Sequence, residues 1–277
     1  ANLAYQPKKK HVERNCMRLR KWIYNVTQYL DHREEKMTDF HWACISAGRA
    51  FDSRDGSNVE RMEKLVGKKL TWYIPERDVM YYRSAGATKI VNSGGLIDSR
   101  NRAIDDAMKM GKPCVQLSDD LMKIERKIWG QQTGKPEPYT VTEAAEEIHL
   151  NMQGLGAHLG GVAPTSNLFY ASDNVKIRHF VVGDFIIVTD TALRFDLNMS
   201  LKEDYDYTCQ HIQEYGLVAR CDMILATFKH RGNAGGAVDY RTVEKERDNI
   251  RYLMTKWNGK FKINKNRGDG TEVIFKW

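Results

Sequence analysis

Cys114-Val115-Gln116-Leu117-Ser118-Asp119-Asp120-Leu121 runs as a short apolar strand straight into two adjacent carboxylates. Acids close strands for structural reasons too, because Asp caps turns and helices well. The segment upstream decides the fold. Residues 96–110 pattern as a helix, Gly111 suits a left-handed cap, and Pro113 leads into the strand. Further back, residues 88–91 form a strand reaching Asn92-Ser93-Gly94-Gly95, and residues 70–74 form another before Pro75. Residues 58–66 form a helix, and residues 41–46 a buried strand stopped by Ala47-Gly48-Arg49. Strands alternating with helices predict an α/β protein with helices on both faces of its sheet.

Beyond Asp120 the pattern loosens. Residues 130–138 read as a loop and 142–152 as a helix capped by Thr142. The glycine-rich stretch 154–164, with His158, reads as irregular: an acceptor-side lid or a long connection. Residues 177–190 hold two β-rich runs around Gly183-Asp184, and 202–215 a helix ended by Gly216. Residues 217–228 read as one buried strand, 232–236 as a loop, 242–256 as a helix and 260–277 as a closing hairpin. At the other end, Lys8-Lys9-Lys10 opens a helix whose stripe is Val12, Cys16, Leu19, Ile23, Val26 and Leu30. The expected organisation is therefore a basic helical segment, 1–40, packed on a single domain, 41–277.

Charged residues make up 29% of the 277, with 43 basic against 36 acidic and a net charge of +7, as expected of a soluble globular chain. That excess fits a polyanionic partner and is also ordinary for an enzyme. The five cysteines form no C-x-x-C pair, which argues against a disulfide framework or zinc cluster and for a reducing compartment. No apolar run has the length of a membrane span, so no membrane partner is expected. The acidic pairs Asp105-Asp106 and Glu146-Glu147 read as solvated helix faces.

Ligands of open α/β sheets bind at the carboxyl ends of the strands. Three such ends carry unusual polar groups: Ser46 to Arg49, Asn92 to Gly95 and Ser118 to Asp120. Guanidinium groups such as Arg100 clamp phosphates by paired hydrogen bonds. Adjacent carboxylates offer hard oxygen ligands to Mg²⁺ or Mn²⁺, which bridge diphosphate oxygens. Carboxylates recur in Glu203-Asp204-Tyr205-Asp206 at a helix start, where the helix dipole also favours them.

Ser99-Arg100-Asn101, Ala107, Gly111 and Leu117-Ser118-Asp119-Asp120 stand in the order found in nucleotide-sugar-dependent glycosyltransferases of the GT-A type, which this stretch resembles. Ser118 stands where the first acid of their D-x-D-like motif is expected. Together with Ser46-Ala47-Gly48-Arg49, Glu203-Asp204, and His230 with Gly235-Gly236, the chain is most similar to the TET/JBP-associated glycosyltransferases, over about residues 42–236. The resemblance implies a GT-A-like (Rossmann-like) mixed sheet flanked by helices. It implies metal-dependent transfer, of glucose from UDP-glucose in a bacteriophage or similar setting, onto the hydroxymethyl group of a modified pyrimidine in DNA. It assigns Asp120 and His230 to a Mn²⁺ or Mg²⁺ ion and Asp119 to the donor. Ser46, Arg49, Asn92, Arg100, Gly235 and Gly236 would bind substrate. Asp204 would be the catalytic base, giving inversion, with Glu203 and Asp206 as its rivals. The implied partners are a nucleotide-sugar donor and DNA, in the cytoplasm or nucleus, or the host cytoplasm for a viral chain. The C-terminal lysines Lys256, Lys260, Lys262 and Lys265, with Arg267, would then meet phosphates while Trp257 and Phe261 stack on bases, unless they form an ordinary solvated hairpin. Two other readings stay open: the same chemistry on a protein or glycan hydroxyl, and a nucleic-acid-binding module of the same fold without turnover.

Overall fold

The computed structural model describes residues 37–52, 56–229, 242–266 and 270–277. The chain divides after Thr38, and the unit described below is Asp39–Trp277. The expected basic helix lies outside the described residues. Strand β1 (His41–Ile45) is followed by the two-residue strands β2 (Phe51–Asp52) and β3 (Gly56–Ser57), then helix α1 (Asn58–Val66). Next come β4 (Thr71–Ile74), α2 (Val79–Ser84), β5 (Lys89–Asn92), α3 (Leu96–Lys109), β6 (Cys114–Ser118), β7 (Leu121–Arg126) and β8 (Glu137–Tyr139). The second half holds α4 (Val141–Leu155), β9 (Leu159–Val162), β10 (Val175–Lys176), β11 (Phe185–Val188) and α5 (Glu203–Tyr215). It ends with β12 (Ala219–Cys221), β13 (Ile224–Phe228), α6 (Val243–Lys256), β14 (Phe261–Ile263) and β15 (Val273–Phe275).

Among the described residues, eight strands form one sheet in the order β10-β12-β9-β11-β6-β1-β4-β5. β6, β1, β4 and β5 run parallel, and β11 inserts antiparallel between β6 and β9. This is a mixed α/β sheet with helices on both faces, compatible with a Rossmann-like architecture. Residue alternation builds the two faces. On β1, Trp42 and Cys44 join the core of α1 and α4, while Ala43 and Ile45 join that of α3 and α5. Burying Ile45 contributes roughly 1.5–3 kcal/mol by taking it out of water, and Ala43 less.

Five expectations are corrected here. Residues 154–164 are not a lid. Gly156 caps α4, and Leu159–Val162 is a buried strand near the middle of the sheet. A Cβ on Gly160 would meet Met152 Sδ at 2.6 Å, and one on Gly161 would meet the Phe185 carbonyl at 2.7 Å. Glycine serves close packing here, so its usual loop reading fails. The run 217–228 splits into β12 and β13, which belong to different sheets, with Asp222 and Met223 turning between them. The run 177–190 yields β11 alone, and the cap of α4 is Thr140, not Thr142. Nor are the acidic pairs simply solvated. Glu147 holds Arg126 through two bonds of 2.9 Å, Glu146 is buried, and Asp106 accepts from the Tyr73 hydroxyl at 3.1 Å.

Candidate active site

Parallel pairing of β1 with β6 sets Ile45 beside Ser118, so the loops after both strands open on the same edge of the sheet. There Asp119 is 3% exposed and fully engaged. Ser46 Oγ donates to its Oδ2, and Arg49 Nη1 donates to Oδ1 at 2.9 Å. Tyr82 hydrogen-bonds the Ser46 hydroxyl and accepts from the Arg49 N–H at 3.3 Å. Helix α1 holds the backbone of the turn: Asn58 Nδ2 donates to the Asp119 carbonyl at 3.1 Å, and Arg61 Nη2 donates to it at 2.8 Å. Burial pushes the Asp119 carboxyl up, with the Arg49 charge and the Ser46 bond pulling it back. The predicted trio Ser46, Arg49 and Asp119 thus forms one closed network.

Asp120 sits differently. Ser118 Oγ donates to its Oδ1 at 2.8 Å, and Arg49 Nη1 stands 4.0 Å from its Oδ2. The serine in the acidic motif is therefore an orienting group for Asp120. The Asp120 carbonyl accepts from Lys229 N–H at 3.0 Å, at the end of β13. His230, Gly235 and Gly236 lie outside the described residues. Among the described residues no three His, Cys, Asp or Glu side chains gather in metal-holding geometry. Mg²⁺ and Mn²⁺ sites that keep water and substrate phosphates need only one or two protein carboxylates. The hard-oxygen donor set at Asp120 fits that mode of binding.

The second half of the site comes from the antiparallel insertion of β11. Phe185 pairs with Leu117, so Asp184 falls opposite Ser118 and its carbonyl accepts the Ser118 N–H at 2.8 Å. Its carboxyl is pushed up to about 7 by burial, then by the Asp120 charge. Next to it, Gly183 N–H donates to Asp204 Oδ2 at 3.1 Å, which joins this turn to the start of α5. Asp204 is likewise pushed up to about 7, by burial and then by Glu203. Arg100 lies beneath: its Nη1 donates to the Gly183 carbonyl at 2.9 Å and its Nη2 pairs with Glu203 at 3.3 Å. A Cβ on Gly183 would stand 2.7 Å from Arg100 Nη2, so a side chain here would press on the Arg100 guanidinium.

That arrangement separates the rival bases. Asp206 is fully buried and accepts from Trp257 Nε1 at 2.7 Å and Gln210 Nε2 at 2.7 Å. Glu203 is the buried counter-ion of Arg100. Asp204 is partly exposed and faces the Asp184 turn. Arg100, expected at phosphate, is 7% exposed and spans Gln116, Gly183 and Glu203 as a strut. Asn101 clamps Phe195 through both its amide and carbonyl, at 2.9 and 2.8 Å. Asn92 is exposed, two strands from β1, and lines a separate groove with Asp98, Asn101, Arg102 and Phe195. A pocket of ≈ 230 Å³ bordered by Gly48, Asp78, Tyr81 and Tyr82 lies on the Ser46–Arg49 side, and Gly48 N–H donates to Asp78 there at 2.7 Å.

Sequence reasoning missed Asp184 and Tyr82. Asp184 had been visible only as the residue after a glycine, and its strand partner could not be read from alternation. The fold is that of an α/β protein of mixed sheet with an acidic, arginine-braced cluster at one strand-end edge. No known protein family, curated protein or solved structure matched the chain when it was compared with each. No described helix is long and apolar enough to cross a membrane.

Proposed function

We propose that the protein is a GT-A-like glycosyltransferase that moves a sugar from a nucleoside-diphosphate sugar to a hydroxymethylated pyrimidine in DNA. The observation that carries the reading is the pairing of Asp184 with Ser118, because it sets the Gly183–Asp204 turn beside the strand end of Asp120. A donor site and a proton-accepting carboxyl then share one edge. The pocket beside Gly48 and Tyr81 takes the nucleotide base, with Asp78 and Tyr82 in its wall and Tyr82 joining it to Ser46 and Arg49. A divalent ion held by Asp120, and by His230 in the resemblance, would offset charge on the leaving diphosphate. Asp204 receives the proton of the acceptor hydroxyl as that oxygen attacks the anomeric carbon, which inverts the sugar. Its raised proton affinity suits that task near neutral pH.

The test is mass spectrometry of hydroxymethylated DNA after incubation with a panel of nucleotide sugars and Mn²⁺ or Mg²⁺. A metal-dependent hexose mass increment on the modified base is expected. Transfer to a peptide or glycan hydroxyl in place of DNA overturns the acceptor. Absence of metal-dependent donor hydrolysis overturns the enzyme reading and leaves a binding module, whereas its survival in Asp120→Ala overturns the metal site drawn at Asp120.

A further inference from the structure

The C-terminal hairpin carries its chemistry on the outside. Phe261 and Val273 are buried with Trp257, Cys209 and Leu253. Trp257 is 8% and Phe261 5% exposed, so neither ring is free to stack on a base, which corrects the expectation for this segment. Lys256 is likewise occupied, with Asp196 at 2.6 Å and Asp206 at 2.9 Å. The apolar spacing that looked like interleaved stacking residues is core periodicity.

What remains outside includes three lysines, beside the exposed Ile274 and Glu272. Lys262 pairs across the strands with Ile274, and Lys276 N–H donates to the Lys260 carbonyl at 2.7 Å, so Lys260, Lys262, Ile274 and Lys276 share one face. Lys262 and Lys276 are exposed and their ammonium groups stand close enough that Lys262 is the first cause holding Lys276 below the usual lysine range. Lys260 lies over the Trp277 ring at 4.0 Å from its centroid. Many surface cations elsewhere are paired: Lys69 with Glu63, Lys123 with Glu125, Arg102 with Asp106, Lys112 with Asp39. On this face Lys260, Lys262 and Lys276 have no carboxylate partner among the described residues. Like charges set together across a β ladder destabilise it. An anionic partner relieves that repulsion.

We propose that the outward face of the β14–β15 hairpin, through Lys260, Lys262 and Lys276, is the docking surface for the phosphate backbone of a DNA duplex. The inference rests on DNA being the acceptor and assigns where it binds. Lysines two apart on a strand stand about 7 Å from each other, a spacing that suits successive phosphates. Their ammonium groups act as point charges, so the contact holds the duplex without reading its sequence. The inner face links the surface to the site. Phe261 packs edge-on to Tyr205 at 5.8 Å, Tyr205 stacks on Phe180 at 3.7 Å, and Tyr205 follows Asp204 directly. The inner face of the hairpin thus packs against the residue that follows Asp204.

The test is binding of the full chain to a fluorescent duplex across about 50–200 mM salt, with anisotropy as readout. Each lost phosphate contact lowers the slope of log K against log salt by about 0.9, so Lys262→Gln/Lys276→Gln is expected to lower it by about 2. Lys64→Gln/Lys68→Gln, which removes two exposed charges from the end of α1, is expected to leave the slope in place. Circular dichroism verifies that both variants fold. An unchanged slope in the hairpin variant, an equal loss in the α1 variant, or wild-type binding to phosphatidylserine vesicles but not to the duplex overturns the proposal. Donor hydrolysis, measured without DNA, should be equal in wild type and hairpin variant. If it is absent from wild type while the slope change appears, the transferase reading fails and the docking surface stands.

Discussion

The two acidic turns of the site, Asp119-Asp120 after β6 and Gly183-Asp184 with Asp204 at α5, differ in how their charge is balanced. Around Asp119 the cation comes with the fold: Arg49 and Ser46 bind the carboxylate directly, and α1 fixes its backbone. Around Asp184 and Asp204 the acids outnumber their cation. Arg100 is shared with Glu203, and both carboxyls are pushed up to about 7. One turn is braced to stay in shape, and in the proposed reading the other exchanges a proton. The lesson is that proximity of carboxylates in sequence says little about their roles, which follow from the burial of each and the charges around it.

The sharpest way to break that contrast is Asp204→Asn. A positioned base contributes about 10²–10⁴-fold, and the transfer rate is expected to fall by that much with donor KM little changed. A base acts when ionised, so the wild-type rate should rise through about pH 7 and then level. The asparagine variant should lose this limb. Stability supplies an independent check. A carboxyl whose folded value is raised from 3.8 to about 7 holds an extra proton in the folded state across that window. Stability therefore falls as pH rises from about 4 to 7, and denaturant titration should show Asp204→Asn losing its share of that slope. A wild-type rate independent of pH would place the base elsewhere.

On the other turn the same logic predicts a structural effect. Arg49→Ala leaves Asp119 buried without its cation and should cost roughly 3–5 kcal/mol in denaturant unfolding. Asp119→Asn in that background should recover part of the loss, because the uncompensated charge is gone. No recovery would mean that Arg49 acts mainly through packing.

The smallest expected change is Gly183→Ala. Its methyl meets Arg100 Nη2 and Asp204 Cβ, at 2.7 and 3.1 Å, and overpacking of this kind costs about 1–3 kcal/mol. Because Gly183 also joins the two turns, the pH midpoint of transfer should move with the displaced Arg100. A stability loss with an unmoved midpoint would separate the strut from the proton site.

Much of the fold was legible because local chemistry fixed it. The helix 58–66 has Ser57 as its cap, with Glu60 N–H donating at 3.1 Å, and Gly67 closing it in the left-handed region. The apolar run 114–118 could only be buried, and its acids had to fall at a strand end. Ser46, Arg49, Asp119 and Asp120 were therefore nameable, although their mutual bonding was not. The glycines of β9 misled because the signal for a loop and the signal for close strand packing are the same residue.

By itself the sequence determined the alternation of strands and helices, the acids after β6 and the basic excess, since these follow from periodicity and side-chain chemistry within a few residues. The tertiary structure alone decided the rest. The antiparallel entry of β11 pairs Asp184 with Ser118 across more than sixty residues of chain, and the core takes Trp257 and Phe261 while leaving the lysines outside. Such roles depend on which strand lies beside which and on which face is covered. Both are set by the packing of the whole sheet, and no local pattern encodes them.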